Sequence, residues 1–234
     1  MSSVTVHIIV EGQTEKDFVE KILKKELKKF GVHTTVSLLG RDGGSVTFER
    51  LKTDVKHTMT GKYDYVTTML DYYGSDNKWP GKGEIEKLVA SGTSISADKI
   101  GEMIEGDTLD RMVKELPDLS IKEKFIPYFQ MYEFEALLFS DPEVLAVKLQ
   151  VNQKYIDDIV SKFPTPEDIN NSVNTAPSKR LDRLNKEHSK SKQGYKKRIQ
   201  GIEIVEATGL ETISKECTHF RKWFERIKGL ANSK

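Results

Sequence analysis

The stretch Val4-Thr-Val-His-Ile-Ile-Val10 is almost unbroken in apolar and β-branched residues, and it stops abruptly at Glu11-Gly12. A strand with one wet face alternates in polarity, whereas a run of this kind fits a strand covered on both faces. Beyond the turn, Phe18, Val19, Ile22, Leu23, Leu27 and Phe30 fall on one helical face, with Thr14 as the candidate cap and Asp17 three positions on. Strand, turn and amphipathic helix open a βαβ unit, so a parallel sheet is the expectation from the first thirty residues. His7, inside the strand, reads as a core histidine.

The pattern then repeats. His33 to Leu39 reads as a second strand closed by Gly40-Arg41-Asp42-Gly43-Gly44, and Ser45 to Met59 as a helix buried through Phe48, Leu51 and Val55. Tyr65 to Leu70 makes a third strand ending at Asp71, and Phe125 to Met131 a fourth, with helical character between them from Ile95 to Leu116. From Pro142 onward the chain reads as helices over 142–150, 152–162, 178–188 and 208–228, with Gly201 to Val205 as a weak strand candidate. The expected architecture is α/β: a parallel sheet with flanking helices over residues 1–141, followed by a helical C-terminal subdomain over 142–234.

No apolar run approaches the ~20 residues of a membrane-spanning helix, and Val4 to Val10 lacks the basic leader and cleavage site of a signal peptide, which predicts a cytoplasmic protein. Cys217 is the only cysteine, which excludes an intramolecular disulfide and any multi-cysteine metal site. The formal net charge of +1 conceals an asymmetry: residues 1–150 carry −5 and residues 151–234 carry +6. Between Ser178 and Arg198 a dense set of Lys and Arg, including Lys179, Arg180, Lys196 and Lys197, faces only Asp182 and Glu187. Such a stretch can neutralise phosphates, although a solvated helix face has the same composition.

Ligands of open α/β sheets bind beyond the carboxyl ends of the strands. Glu11 ends the first strand, Asp42 follows the second, Asp71 ends the third, and Glu133 and Glu135 follow the fourth. Carboxylates gathered at one edge repel, at about 4 kcal/mol for a 4 Å pair in an effective dielectric near 20, so a counterion is required. A hard divalent cation serves, and Mg²⁺, with Mn²⁺ acceptable in its place, suits sparse acids that share it with a substrate phosphate. Taken singly, Asp42 and Glu135 also read as turn or cap residues. Glu11 and Asp71 are stronger candidates, because each ends an apolar strand and has a glycine within three residues, Gly12 and Gly74. Gly74 to Lys82 is not a Walker A loop: six residues separate Gly74 from Gly81, and no Ser or Thr follows the lysine. Cys217 and His219 read as packed residues rather than as a nucleophile and its base.

Val10-Glu-Gly-Gln-Thr-Glu15 and Met69-Leu-Asp-Tyr-Tyr-Gly74 resemble the Toprim fold of topoisomerases, bacterial primases and overcoming-lysogenization-defect nucleases. The resemblance implies that Glu11 acts as general acid or base and that Asp71 holds Mg²⁺. Tyr73 stands where the second aspartate of the Toprim Asp-x-Asp pair would be, and Asp76, Glu133 or Glu135 are its candidate substitutes. A closer resemblance runs through Val10 to Glu15, Leu70 to Gly74 with Trp79-Pro-Gly81, Glu133 to Asp141, Pro166 to Asn170, Ala176 to Arg180 and Cys217 to Phe220. Together these motifs are similar to domain-of-unknown-function family 4276, with Tyr132 where the family pattern has histidine. The resemblance implies similarity to Toprim proteins and an AAA-type ATPase encoded nearby, as in some prokaryotic anti-phage systems.

Two functions follow as expectations. One is a Mg²⁺-dependent nuclease in which Glu11 and Asp71 are catalytic, Glu11, Asp71, Glu133 and Glu135 are metal ligands, and Lys179, Arg180, Lys196 and Lys197 hold nucleic acid. It would work with an ATPase partner in defence or DNA maintenance, with no membrane and with homo-oligomers admitted. The other is a degenerate Toprim-like module that docks an ATPase or nucleic acid, with exposed Phe220, Trp223 and Phe224 on the last helix as its interface.

Overall fold

A computed structural model describes residues 3–40, 46–170 and 173–232. The candidate acid Asp42 and the expected helix start at Ser45 lie outside the described residues. The chain forms two compact units, one running to Gln130 and resuming at Trp223, the other Met131–Lys222.

The first unit is built on parallel strands. β1 (Val4–Val10) is followed by a continuous helical run of α1 (Gln13–Phe18), a π segment (Val19–Leu23) and α2 (Lys24–Lys28). Then come β2 (Val32–Leu38), α3 (Phe48–Met59), β3 (Tyr65–Asp71), α4 (Lys82–Ala90), α5 (Ala97–Glu115) and α6 (Ile121–Lys124), and finally β4 (Phe125–Ile126) and β5 (Phe129–Gln130). The sheet order is β2-β1-β3-β4, with β5 also on β3. β1 pairs parallel with both neighbours, Val10 lying opposite Leu38 on one side and Met69 on the other. That central place explains its unbroken apolar run, whose Val4, Val6, Ile8, Ile9 and Val10 are fully buried.

Several local expectations change. The first helix is capped at Gly12, not Thr14: the Gly12 amide donates to Glu15 Oε2 at 2.9 Å, so Glu15 closes the first turn, and Asp17 meets Lys21 at 3.5 Å. Phe30 leaves the core face, and the Lys228 ammonium sits 4.5 Å from its ring centroid. The fourth strand is broken in two because Pro127 has no N–H to give the ladder. Thr68 bridges the gap, its hydroxyl donating to Tyr128 O at 2.8 Å and accepting from Tyr128 N at 2.7 Å. Trp79 plugs the core, donating to Thr108 Oγ1 at 2.8 Å and standing edge-on to Phe129. His7 is buried, its two ring nitrogens held by Thr35 and Ser37 hydroxyls at 2.7 and 2.9 Å, and burial lowers its pKa.

The second unit is helical. A 3₁₀ segment, Phe134–Ser140, is buried on every side; its run is apolar except for Glu135 and Ser140. α7 (Pro142–Leu149), capped by Asp141 through the amides of Glu143 and Val144, precedes α8 (Lys154–Val160) and α9 (Pro177–His188). Lys197–Gly201 is a π segment that runs directly into α10 (Ile202–Thr208), so the weak strand at Gly201 to Val205 is helix. The expected helix over 208–228 is two, α11 (Leu210–Glu216) and α12 (Thr218–Gly229), separated at Cys217.

Phe220, Trp223 and Phe224 are not an exposed patch: they are 0%, 4% and 4% exposed. Trp223 stacks on Tyr128 at 4.4 Å and donates to Thr67 Oγ1 at 2.9 Å. No helix among the described residues is long and apolar enough to cross a membrane.

Candidate functional site

The parallel register of β1 and β3 brings Glu11 and Asp71 to the same sheet edge. The Glu11 amide donates to Met69 O at 3.3 Å, and the Asp71 amide donates to Glu11 Oε2 at 3.1 Å. Both residues are half-buried. After Asp71 the chain turns back, the amides of Gly74 and Ser75 donating to Asp71 O at 3.0 and 3.3 Å. Gly74 thereby lies against Glu11 so closely that a Cβ would collide with both carboxylate oxygens. The glycine permits that approach, and a larger residue would displace the Glu11 carboxylate.

Below the turn sits Lys82, the lysine that ends the Gly74 to Lys82 stretch without a Walker A pattern. Lys82 is 6% exposed, and its ammonium donates to Tyr72 O at 3.2 Å, to Ser75 Oγ at 3.0 Å and to Ser75 O. Burial lowers its pKa, opposed by Glu86 and Asp76. It ties the two ends of the Tyr72 to Ser75 turn and so fixes Gly74 over Glu11. A lysine between two glycines at a helix start carries no periodic signal of burial. Asp76, a candidate substitute acid, accepts from the Lys78 amide at 2.9 Å as a turn residue.

In the second unit the motif acids are tied to helix ends and to a cation. Glu133 receives the Ser178 amide and hydroxyl at 2.8 and 3.0 Å, satisfying the first turn of α9. Glu135, 1% exposed, lies 3.4 Å from Lys197 Nζ, so a candidate metal ligand and a candidate phosphate contact pair with each other. Glu167, also 1% exposed, accepts from the amides of His219 and Phe220 at 2.8 and 2.9 Å and caps α12. Cys217 is buried with its Sγ 3.3 Å from Ser140 Oγ, and burial, with Glu167 nearby, pushes the thiol well up. Tyr132 adopts φ +59°; burial raises its pKa, against a hydrogen bond with Asn170. Four of the six motifs are thus stitched to each other inside this unit.

Lys179 and Lys196 are exposed, whereas Arg180 is half-buried, its Nε donating to Thr175 O at 2.7 Å. Burial, then Arg183, lowers the Arg180 pKa.

Among the described residues no three His, Cys, Asp or Glu side chains gather as a metal cluster. Glu11 and Asp71 are a pair of hard oxygen donors, the number that Mg²⁺ takes from a protein when waters and a substrate phosphate complete its shell. The donor chemistry therefore fits.

The family described as "Domain of unknown function (DUF4276)" matches residues 10–228. In comparisons with curated proteins and with solved structures, nothing matches.

Proposed function

The chain belongs to the DUF4276 family, and from that premise we propose that it is a cytoplasmic, Mg²⁺-dependent nuclease of Toprim type that cleaves phosphodiester bonds. The observation that carries the reading is the bond from the Asp71 amide to Glu11 Oε2, which couples two strand-end acids at the edge where α/β sheets bind ligands. That bond and the bare Cα of Gly74 orient the Glu11 carboxylate, which would take a proton from attacking water or return one to the leaving oxygen. Asp71, with Glu11, would hold the ion. Bound Mg²⁺ supplies charge neutralisation at the transferring phosphate. We leave Glu133 and Glu135 out of the ligand set, because Ser178 and Lys197 already engage them.

Lys179, Arg180, Lys196 and Lys197 hold the polyanion in this reading, with Lys197 divided between phosphate and Glu135. Counterion release makes binding steeply salt-dependent. An AAA-type ATPase partner and a role in prokaryotic defence or DNA maintenance rest on the family resemblance, and co-purification of the chain with an adjacently encoded ATPase tests them. Metal-dependent degradation of plasmid DNA by purified protein tests the chemistry. Undiminished cleavage by both Glu11→Gln and Asp71→Asn would remove these residues from the mechanism.

Tyr73, in the place of a second acid, favours one alternative: a Toprim-like binding module without catalysis. Titration calorimetry separates the two. Mg²⁺ binding that is lost in Asp71→Asn supports the enzyme, and no Mg²⁺ binding with or without DNA supports the module.

A further inference from the structure

A cavity of about 230 Å³ lies between α8 and α9 in the second unit. α9 lines it with Lys179, Arg180 and Arg183 from its first two turns and with His188 at its end. Across from them are Tyr155, Asp158 and Lys162. Four permanent cations and one carboxylate line the cavity, and Arg183 lies 3.9 Å from Glu187, which leaves the lining net positive.

Arg180 distinguishes this cavity from a generally basic surface. Its Nε is fixed on Thr175 O at 2.7 Å and its guanidinium lies 5.2 Å from the Phe163 ring centroid, yet its Nη2 is buried without a hydrogen-bond partner among the described residues. A buried cationic donor left unpaired is costly, and an anionic oxygen at that position would satisfy it. One wall is aromatic: Tyr155, 41% exposed, stacks on His188 at 3.8 Å and 15°. A nucleobase can stack on such a face. The volume exceeds a bare phosphate and falls below the ~300 Å³ of typical drug-sized pockets, which suits a phosphate with its sugar. Asp158 is an acceptor for a sugar hydroxyl.

We propose that this cavity binds the phosphomonoester of a nucleotide, either free or at the end of a nucleic acid strand. The proposal rests on the nucleic-acid part of the reading above but not on catalysis, so binding is measured in EDTA, where loss of cleavage cannot affect it. Anisotropy would compare a 5′-phosphorylated oligonucleotide with its 5′-hydroxyl twin, and calorimetry would follow a nucleoside 5′-monophosphate. The expected result is about tenfold tighter binding of the phosphorylated strand, or saturable binding of the monophosphate, reduced at least tenfold in Arg180→Gln. Competition by the monophosphate assigns the site to free nucleotides, and lack of competition assigns it to strand ends. Because Arg180 also packs on Phe163, the exposed pair Lys179→Gln and Arg183→Gln serves as the second variant, with an unchanged melting temperature as its folding control. Equal affinity for both oligonucleotides together with no monophosphate binding, or a phosphate preference that survives in the second variant, would overturn the proposal.

Discussion

In the first unit, Glu11 and Asp71 end neighbouring parallel strands, and the bond between them comes from a backbone amide. In the second, Glu133, Glu135 and Glu167 belong to motifs of the same family, yet two of them cap helices and the third meets a lysine. All five are carboxylates, and their surroundings differ. A carboxylate that satisfies amides at a helix N-terminus completes the backbone's own hydrogen bonding. A carboxylate at a strand end, with a glycine pressed against it, lies at the edge where open α/β sheets generally bind ligands. Acids in a family's motifs can therefore serve the architecture, as Glu133 and Glu167 do at helix starts.

Substitutions can break that contrast. The largest effect is expected at Glu11: Glu11→Gln should lower Mg²⁺-dependent cleavage by about 10²–10⁴-fold while the melting temperature stays near wild type. A large fall in stability with unchanged cleavage would make Glu11 architectural as well. Glu167→Ala should behave in the opposite way, costing about 3 kcal/mol in urea unfolding because two buried amides lose a charged acceptor, with Mg²⁺ affinity unchanged. Glu133→Ala should cost about 1–2 kcal/mol, the size of a lost helix cap, again with Mg²⁺ affinity unchanged in calorimetry. If instead it weakens Mg²⁺ binding, Glu133 belongs with the first group.

The smallest effect sharpens the description of the first unit. Burial lowers the His7 pKa below the ordinary 6.5, so the unfolded chain takes up its proton first. The sign follows: stability is complete above pH 6.5 and declines as pH falls from there toward the folded-state pKa, by at most about 1.4 kcal/mol per pH unit for one proton. His7→Gln should flatten that part of a pH-stability profile, measured by urea midpoints, and an unchanged slope would assign it to other groups.

Much of the first unit was legible because burial on both faces leaves a mark. Val4 to Val10, Tyr65 to Leu70 and the Phe48, Leu51, Val55 stripe announce strands and helix directly, and Glu11 and Asp71 follow as the residues after the runs. The break at Pro127 was hidden because the Thr68 hydroxyl that spans it is sixty residues away. The exposed reading of Phe220, Trp223 and Phe224 failed for a related reason: the basic residues interleaved with them suggest a wet face, while Tyr128 and Thr67 are what bury the indole.

The amino-acid order by itself determined the parallel sheet, the helical second half and the pair of strand-end acids, since each depends on periodicity or on position next to an apolar run. Only the tertiary structure decided that Lys82 is a buried strut, that Glu133 and Glu167 are caps, and that Arg180 holds an unpaired donor inside a basic cavity. A polar side chain's role depends on which donors, acceptors and solvent surround it, and those partners come from stretches of chain that local sequence does not bring together.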